Sequence, residues 1–284
     1  MREEKQGRRK KQDLKLSAAV LLLCLLLSVI FYCAGGLKVY HADNSYQATI
    51  DTAVSSLKAR ESEIPADLSG YRAKSDPVDI EELEERLLQH YEEYDYNSQY
   101  FGDWFSNAVI IGDSVAAAIK EFGYMDDSRV QAIIGIGTYS AEEVIENTIY
   151  IQPSVIFTTF SANDMVAFEG NVDAFIYQYR ADIEKLMAGV PTAEIYVQGV
   201  LPCSPYYLDS YPAYADLDEF NEALSEMCDE LGVHYYDVGF ICEYDAEIFD
   251  EDGLHPRWPF YPLWLTYMAE ISGLAEYPQE AAQD

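Results

Sequence analysis

Asn107-Ala108-Val109-Ile110-Ile111-Gly112-Asp113-Ser114 is the stretch from which the fold can be read. An apolar run this short, closed by Gly-Asp-Ser, predicts a strand buried on both faces that turns directly into a helix. The same alternation continues downstream. Further strands are expected at Val130–Ile136, Val155–Phe160, Glu194–Leu201 and His234–Val238. Helices are expected from about Val115 to Phe122, over Ser140–Tyr150 (opening with Ser140-x-x-Glu143), Val172–Ala188 and Leu217–Leu231, and after Pro262. Five apolar strands interleaved with helices call for a parallel sheet covered on both faces. Ligands of such sheets gather at the carboxyl ends of the strands.

Upstream of this alternation the composition changes. Residues 1–15 carry seven Lys/Arg and three Asp/Glu, and residues 16–37 are 22 uncharged, mainly apolar residues. At about 1.5 Å per residue such a run spans a hydrocarbon core of ~30 Å. The basic flank predicts a cytoplasmic tail, 1–15, a transmembrane anchor, 16–37, and everything beyond it outside the cell membrane. A cleaved signal peptide is the competing reading, and it exports the same domain. Residues 38–100 read as an extracytoplasmic stalk. Within it, Asp79-x-x-Glu82 opens a helix whose Ile80, Leu83, Leu87, Leu88 and Tyr91 recur at helical spacing. The main domain is expected over 101–275, with an acidic tail at 276–284.

The net charge of −32 excludes one class of partner. An exterior this acidic repels phosphate backbones, so nucleic acid is not expected to bind. Cys24 and Cys33 fall in the anchor. Cys203 and Cys242 each follow a predicted strand, so a disulfide between them is an open possibility, with Cys228 left over. No metal-ligand spacing occurs among the Cys and His residues, and no cofactor is expected.

Chemistry is expected where the strands end. Asp252-Gly253-Leu254-His255-Pro256 places a carboxylate three residues before an imidazole, which it can hold in one tautomer. That imidazole can then take a proton from a serine such as Ser114. The second strand ends in Gly135-Ile136-Gly137-Thr138 and the third in Ser161-Ala162-Asn163-Asp164. A glycine N–H and an asparagine amide are suitable donors to an oxyanion. Taken singly, each of these is an ordinary cap, turn or surface residue. The Gly135-x-Gly137 pair lacks the third glycine of a dinucleotide fingerprint, since Ser140 stands there.

In that order the four blocks resemble the SGNH hydrolases, also called the GDSL esterase/lipase superfamily, over roughly residues 105–272. The resemblance implies a three-layer α/β/α sandwich of flavodoxin-like type. It assigns Ser114 as nucleophile, Asp252 and His255 as its partners, and an oxyanion hole from the Ser114 N–H, Gly137 (or Gly135) and Asn163. Ser161 stands where that block ordinarily has glycine. Tyr206 and Tyr207, in a loop with Tyr211 and Tyr214, and Trp258, just beyond His255, offer aromatic faces that suit sugar rings. The expected function is an extracytoplasmic serine esterase acting on O-acyl, above all O-acetyl, groups of envelope or other glycans. Two alternatives stay open: an O-acetyltransferase supplied by a separate membrane acyl donor, and a non-catalytic glycan-binding module.

Overall fold

The computed structural model of the 284-residue chain describes residues 78–277 apart from 90, 92 and 246. The expected cytoplasmic tail, the apolar run 16–37, the stalk up to residue 77 and residues 278–284 lie outside the described residues. Among the described residues, no helix is long and apolar enough to cross a membrane.

Five parallel strands form one sheet: β1 (Ala108–Gly112), β2 (Val130–Ala132), β3 (Val155–Thr159), β4 (Glu194–Gln198) and β5 (His234–Tyr236). Their order is β2-β1-β3-β4-β5. Alternation along β1 explains why its whole sequence is apolar. Ala108 and Ile110 enter one core and Val109 and Ile111 the other, because successive side chains leave opposite faces. The chain runs from β1 to β2 on one side and then crosses to β3 on the other. The carboxyl ends of β1 and β3 therefore flank the point where strand order reverses, the natural crevice of an open α/β sheet.

Ten helices accompany the strands among the described residues: α1 (Ile80–Gln89), α2 (Phe101–Trp104), α3 (Ser114–Glu121), α4 (Glu142–Ile151), α5 (Ala162–Ala167), α6 (Val172–Gly189), α7 (Pro205–Ser210), α8 (Leu217–Leu231), α9 (Gly239–Tyr244) and α10 (Phe260–Ile271). Buried residues of α4, α6 and α8 share a core with one face of the sheet, and those of α1, α3, α9 and α10 share a core with the other.

Several boundaries differ from the sequence reading for identifiable reasons. β2 ends at Ala132 rather than Ile136. Its last partner on β1 is Gly112, where β1 gives way to α3, so the apolar Ile133 and Ile134 have no strand to pair with and stand exposed. Ser140 does not cap α4. It belongs to a 3-10 turn, Thr138–Ser140, and its hydroxyl bonds back to Gly137 while α4 starts at Glu142. The final helix begins at Phe260, with Pro262 inside its first turn, where a missing N–H is tolerated. The short helices α5, α7 and α9 had no periodic signal to reveal them.

The expected stalk needs a larger correction. Residues 80–100 are part of the domain rather than a solvated spacer. α10 buries eleven of its twelve residues, so it needs cover on the side away from the sheet as well. α1 and the 3-10 turn Tyr94–Tyr100 supply that cover, burying Leu83, Leu87, Tyr94 and Asn97. Arg86 pairs with Glu270 at 3.0 Å, and the Asn97 amide donates to the Thr266 hydroxyl at 3.3 Å. The Asp79 carboxylate accepts the Glu82 N–H at 3.2 Å, as the expected capping box requires of its first residue.

Candidate active site

Gly112 ends β1 at a place that has no room for a side chain. A Cβ there would lie 2.1 Å from Thr159 Oγ1 and 3.0 Å from Ala116 Cβ. β1 can therefore approach both β3 and the first turn of α3. Asp113 then caps α3, its carboxylate accepting the Val115 N–H at 3.0 Å. Its other oxygen accepts from the Ser161 hydroxyl (3.5 Å) and the Asn163 amide (3.4 Å). Burial pushes the Asp113 carboxyl up to about 6; the Val115 N–H, His255 and Ser161 pull against it without prevailing.

Ser114 is thus delivered as the first residue of a helix, at the strand-order reversal. Its Oγ lies 2.8 Å from His255 Nε2. His255 Nδ1 lies 2.5 Å from Asp252 Oδ2. The other Asp252 oxygen accepts the backbone N–H groups of Leu254 (2.9 Å) and His255 (3.0 Å). Burial acts to raise the Asp252 carboxyl, but those N–H groups and the His255 ring together hold it below the ordinary carboxylate range.

The turn carrying Asp252 and His255 is held from two sides. Phe249 and Pro256 form an antiparallel bridge, and the Asp250 N–H donates to the His255 carbonyl at 2.8 Å. Gly253 adopts φ +76°, and a Cβ on it would lie 2.1 Å from Ser204 Oγ. The Ser204 N–H donates to the Gly253 carbonyl at 2.8 Å, which docks the start of the α7 segment on this turn.

Asn163, expected as an oxyanion donor, reaches Asp113, the residue before Ser114, whereas the Gly137 N–H turns to Ser140. Gly137 has an extended backbone (φ −134°), so its requirement for glycine is one of space. A Cβ would lie 2.7 and 2.8 Å from the two Asp164 oxygens. Its N–H reaches Ser140 Oγ at 3.3 Å. Gly135 is the residue that takes a positive φ, +83°. The Asn163 amide donates to the Ile136 carbonyl at 2.9 Å and to Asp113 at 3.4 Å, so in this state it links the first and second blocks. Ser161 is buried, with its hydroxyl on Asp113.

The aromatic residues separate into two groups. Tyr207 sits beside Gly253, stacks on Tyr211 with ring centroids 4.5 Å apart, and has its hydroxyl pushed up to about 12, first by burial. Tyr206, on the same short helix, is 69% exposed. Trp258 instead faces the Tyr124 hydroxyl, beyond the end of α3 opposite to Ser114. Cys203, Cys228 and Cys242 are free thiols. Cys242 lies in one core and Cys203 packs against the other, so the sheet separates these two cysteines. Among the described residues, no group of three or more His, Cys, Asp or Glu could hold a metal ion.

A parallel α/β sandwich with serine, histidine and aspartate in line at its switch point has the architecture of an SGNH hydrolase. The model of the GDSL-like lipase/acylhydrolase family matches residues 102–261, and the chain belongs to that family, an enzyme of the SGNH esterase type. Three solved structures are similar to it. A GDSL-like lipase from Bacteroides thetaiotaomicron is 15% identical, covering 66% of this chain and 98% of its own, with TM-score 0.47. The lipase/acylhydrolase from Enterococcus faecalis is 16% identical, covering 61% and 99%, with TM-score 0.47. A carbohydrate esterase family 3 protein from Talaromyces cellulolyticus is 16% identical, covering 59% and 95%, with TM-score 0.46. No curated protein sequence matches the chain.

Proposed function

We propose that the protein is a membrane-anchored, extracytoplasmic serine esterase that removes O-acyl groups, chiefly acetyl, from glycans. The observation that carries the chemistry is the continuous line from Ser114 Oγ through His255 (2.8 Å) to Asp252 (2.5 Å). His255 takes the Ser114 proton as the hydroxyl attacks the ester carbonyl, and Asp252 steadies the imidazolium that results. The Ser114 and Gly137 N–H groups, with the Asn163 amide, receive the developing oxyanion. His255 returns the proton to the leaving alcohol, and water then repeats the sequence on the acyl-enzyme.

Support for a glycan substrate comes from exposed Tyr206 and half-buried Tyr207, next to the turn that carries Asp252 and His255. Support for the location comes from the basic segment 1–15 followed by the uncharged run 16–37. The test is aryl acetate and acetylated xylan hydrolysis by the full chain in detergent micelles, beside Ser114→Ala. Acetate release from both substrates, lost in the variant, is expected. Release from the aryl ester alone would overturn the glycan assignment, and equal turnover in the variant would overturn the serine mechanism. In intact cells expressing the chain, added protease should digest the 101–275 domain.

A further inference from the structure

The triad leaves one group of aromatic residues without a role. Phe122 and Trp258 are each 43% exposed, two large apolar side chains that folding has not covered. Tyr124 joins them. Its hydroxyl faces Trp258 and donates to the Asp95 carboxylate at 3.4 Å, and its ring centroid lies 6.4 Å from that of Phe122. Phe122 in turn rests on the buried Tyr261, with ring centroids 4.8 Å apart. The three side chains are thus held from within while two of them keep surface open to solvent. Tyr124 also lines a groove of about 740 Å³ together with Lys120, Asp126, Ser128 and Arg129.

Position relates this platform to the triad. Trp258 follows His255 by three residues, in the segment that carries the catalytic turn. Phe122 stands eight residues after Ser114, at the far end of α3. At 1.5 Å per residue that is about 12 Å along the helix. Tyr207 packs against the core on one face of the sheet, and Tyr124 against the core on the other. The two aromatic groups therefore lie on opposite faces, with Ser114 at the strand end between them.

Sugar rings present apolar C–H faces that stack on aromatic side chains, and hydroxyls that bond to charged groups at their edges. Exposed rings bordered by Asp95, Lys120, Asp126 and Arg129 offer both. A net charge of −32 also disfavours an anionic membrane surface as the occupant. We propose that Phe122, Tyr124 and Trp258 form a second subsite, which takes a sugar unit of the substrate chain distant from the ester that Ser114 attacks. The sugar bearing that ester is too short to reach Phe122, so the subsite calls for a polysaccharide strand rather than a single acetylated sugar. The inference rests on the glycan reading above and deepens it.

The experiment compares acetylated xylan with aryl acetate, which has no second sugar to bind. kcat and KM are measured on both for the full chain in detergent micelles and for its Phe122→Ala, Trp258→Ala and Trp258→Phe variants, with melting curves. Each Ala variant should lower the ratio of kcat/KM on xylan to kcat/KM on aryl acetate roughly five- to tenfold, through KM on xylan. Trp258→Phe keeps an aromatic face and should hold that ratio within about twofold. Folded Ala variants with an unchanged ratio would overturn the proposal, as would a loss confined to kcat. If one Ala variant does not fold, the other decides by the same ratio. Turnover of aryl acetate with none of xylan in the unsubstituted chain would remove the glycan reading and this subsite together. Equal xylan turnover in the unsubstituted chain and its variants would remove only the subsite.

Discussion

Replacing Asp252 by asparagine gives a sharp test of how the His255 tautomer is set. The carboxylate accepts on both sides: one oxygen takes the Leu254 and His255 N–H groups (2.9 and 3.0 Å), and the other faces His255 Nδ1 at 2.5 Å. An asparagine has one oxygen for these two tasks. If the oxygen serves the backbone, its NH2 meets Nδ1. The ring proton must then sit on Nε2, facing Ser114, where it prevents the ring from acting as base. If the amide turns over, two backbone N–H groups face an NH2 and both bonds are lost. At about 1 kcal/mol each that orientation is disfavoured by ~2 kcal/mol, roughly 30-fold. Loss of the charge opposite the imidazolium adds to this. In buried serine-protease triads the same change costs about 10⁴-fold. Here the Asp252 side chain is 50% exposed, so water weakens the effect. Asp252→Asn should therefore lower kcat by ~10²–10³-fold with KM within threefold and an unchanged melting temperature. The assay is initial-rate hydrolysis of aryl acetate from pH 6 to 9 alongside thermal melts. A loss of less than tenfold in a folded variant would refute the tautomer argument.

Three further outcomes follow from the same geometry. Leu87→Ala, at a fully buried position on α1, should cost about 2–5 kcal/mol and lower Tm by roughly 5–15 °C, while exposed Ile80→Ala stays within about 0.5 kcal/mol. An unchanged Leu87→Ala melt would return α1 to the status of a spacer. Gly253→Ala combines a left-handed backbone (φ +76°) with a Cβ 2.1 Å from Ser204 Oγ, so it should lose at least about 1–2 kcal/mol of stability together with much of kcat; an active variant with native stability would contradict this. Asp113 and Asp164 are raised by burial to about 6 and about 7, so the folded state holds their protons more tightly than the unfolded state does. Their contribution to stability is complete below the unfolded value near 3.8 and is lost as pH rises through 6 and 7. Urea midpoints should fall between pH 5 and pH 8, and less steeply in Asp164→Asn; parallel profiles for the two proteins would sink the assignment.

Legibility varied with the range of the interaction that shaped each feature. The five strands could be read because burial on both faces leaves a run such as Val109-Ile110-Ile111 without polar residues. α8 could be read to its ends because Gly232 follows Leu231 and adopts the left-handed conformation of a helix stop. Asp252 and His255 lie within one tight turn, so their spacing in sequence already states their contact. Asp164 was adjacent to a recognised residue, yet nothing local linked it to Thr138, which lies on a different strand end. Trp258 was close to His255 in sequence but turns to Tyr124. α1 showed its apolar stripe plainly, but its partner α10 comes almost two hundred residues later, and only the all-round burial of α10 hinted that another cover was required.

By itself, then, the sequence determined the parallel α/β architecture, the four blocks and the family, because strand periodicity and short-range turn chemistry are written in consecutive residues. The tertiary structure alone decided the strand order that sets the ends of β1 and β3 side by side, the inclusion of residues 80–100 in the domain, the separation of Cys203 from Cys242, and the contacts of Asn163 and Asp164 around Gly137. Each of these depends on side chains that meet only after distant segments pack, where the space left by one residue is set by another that no local pattern names.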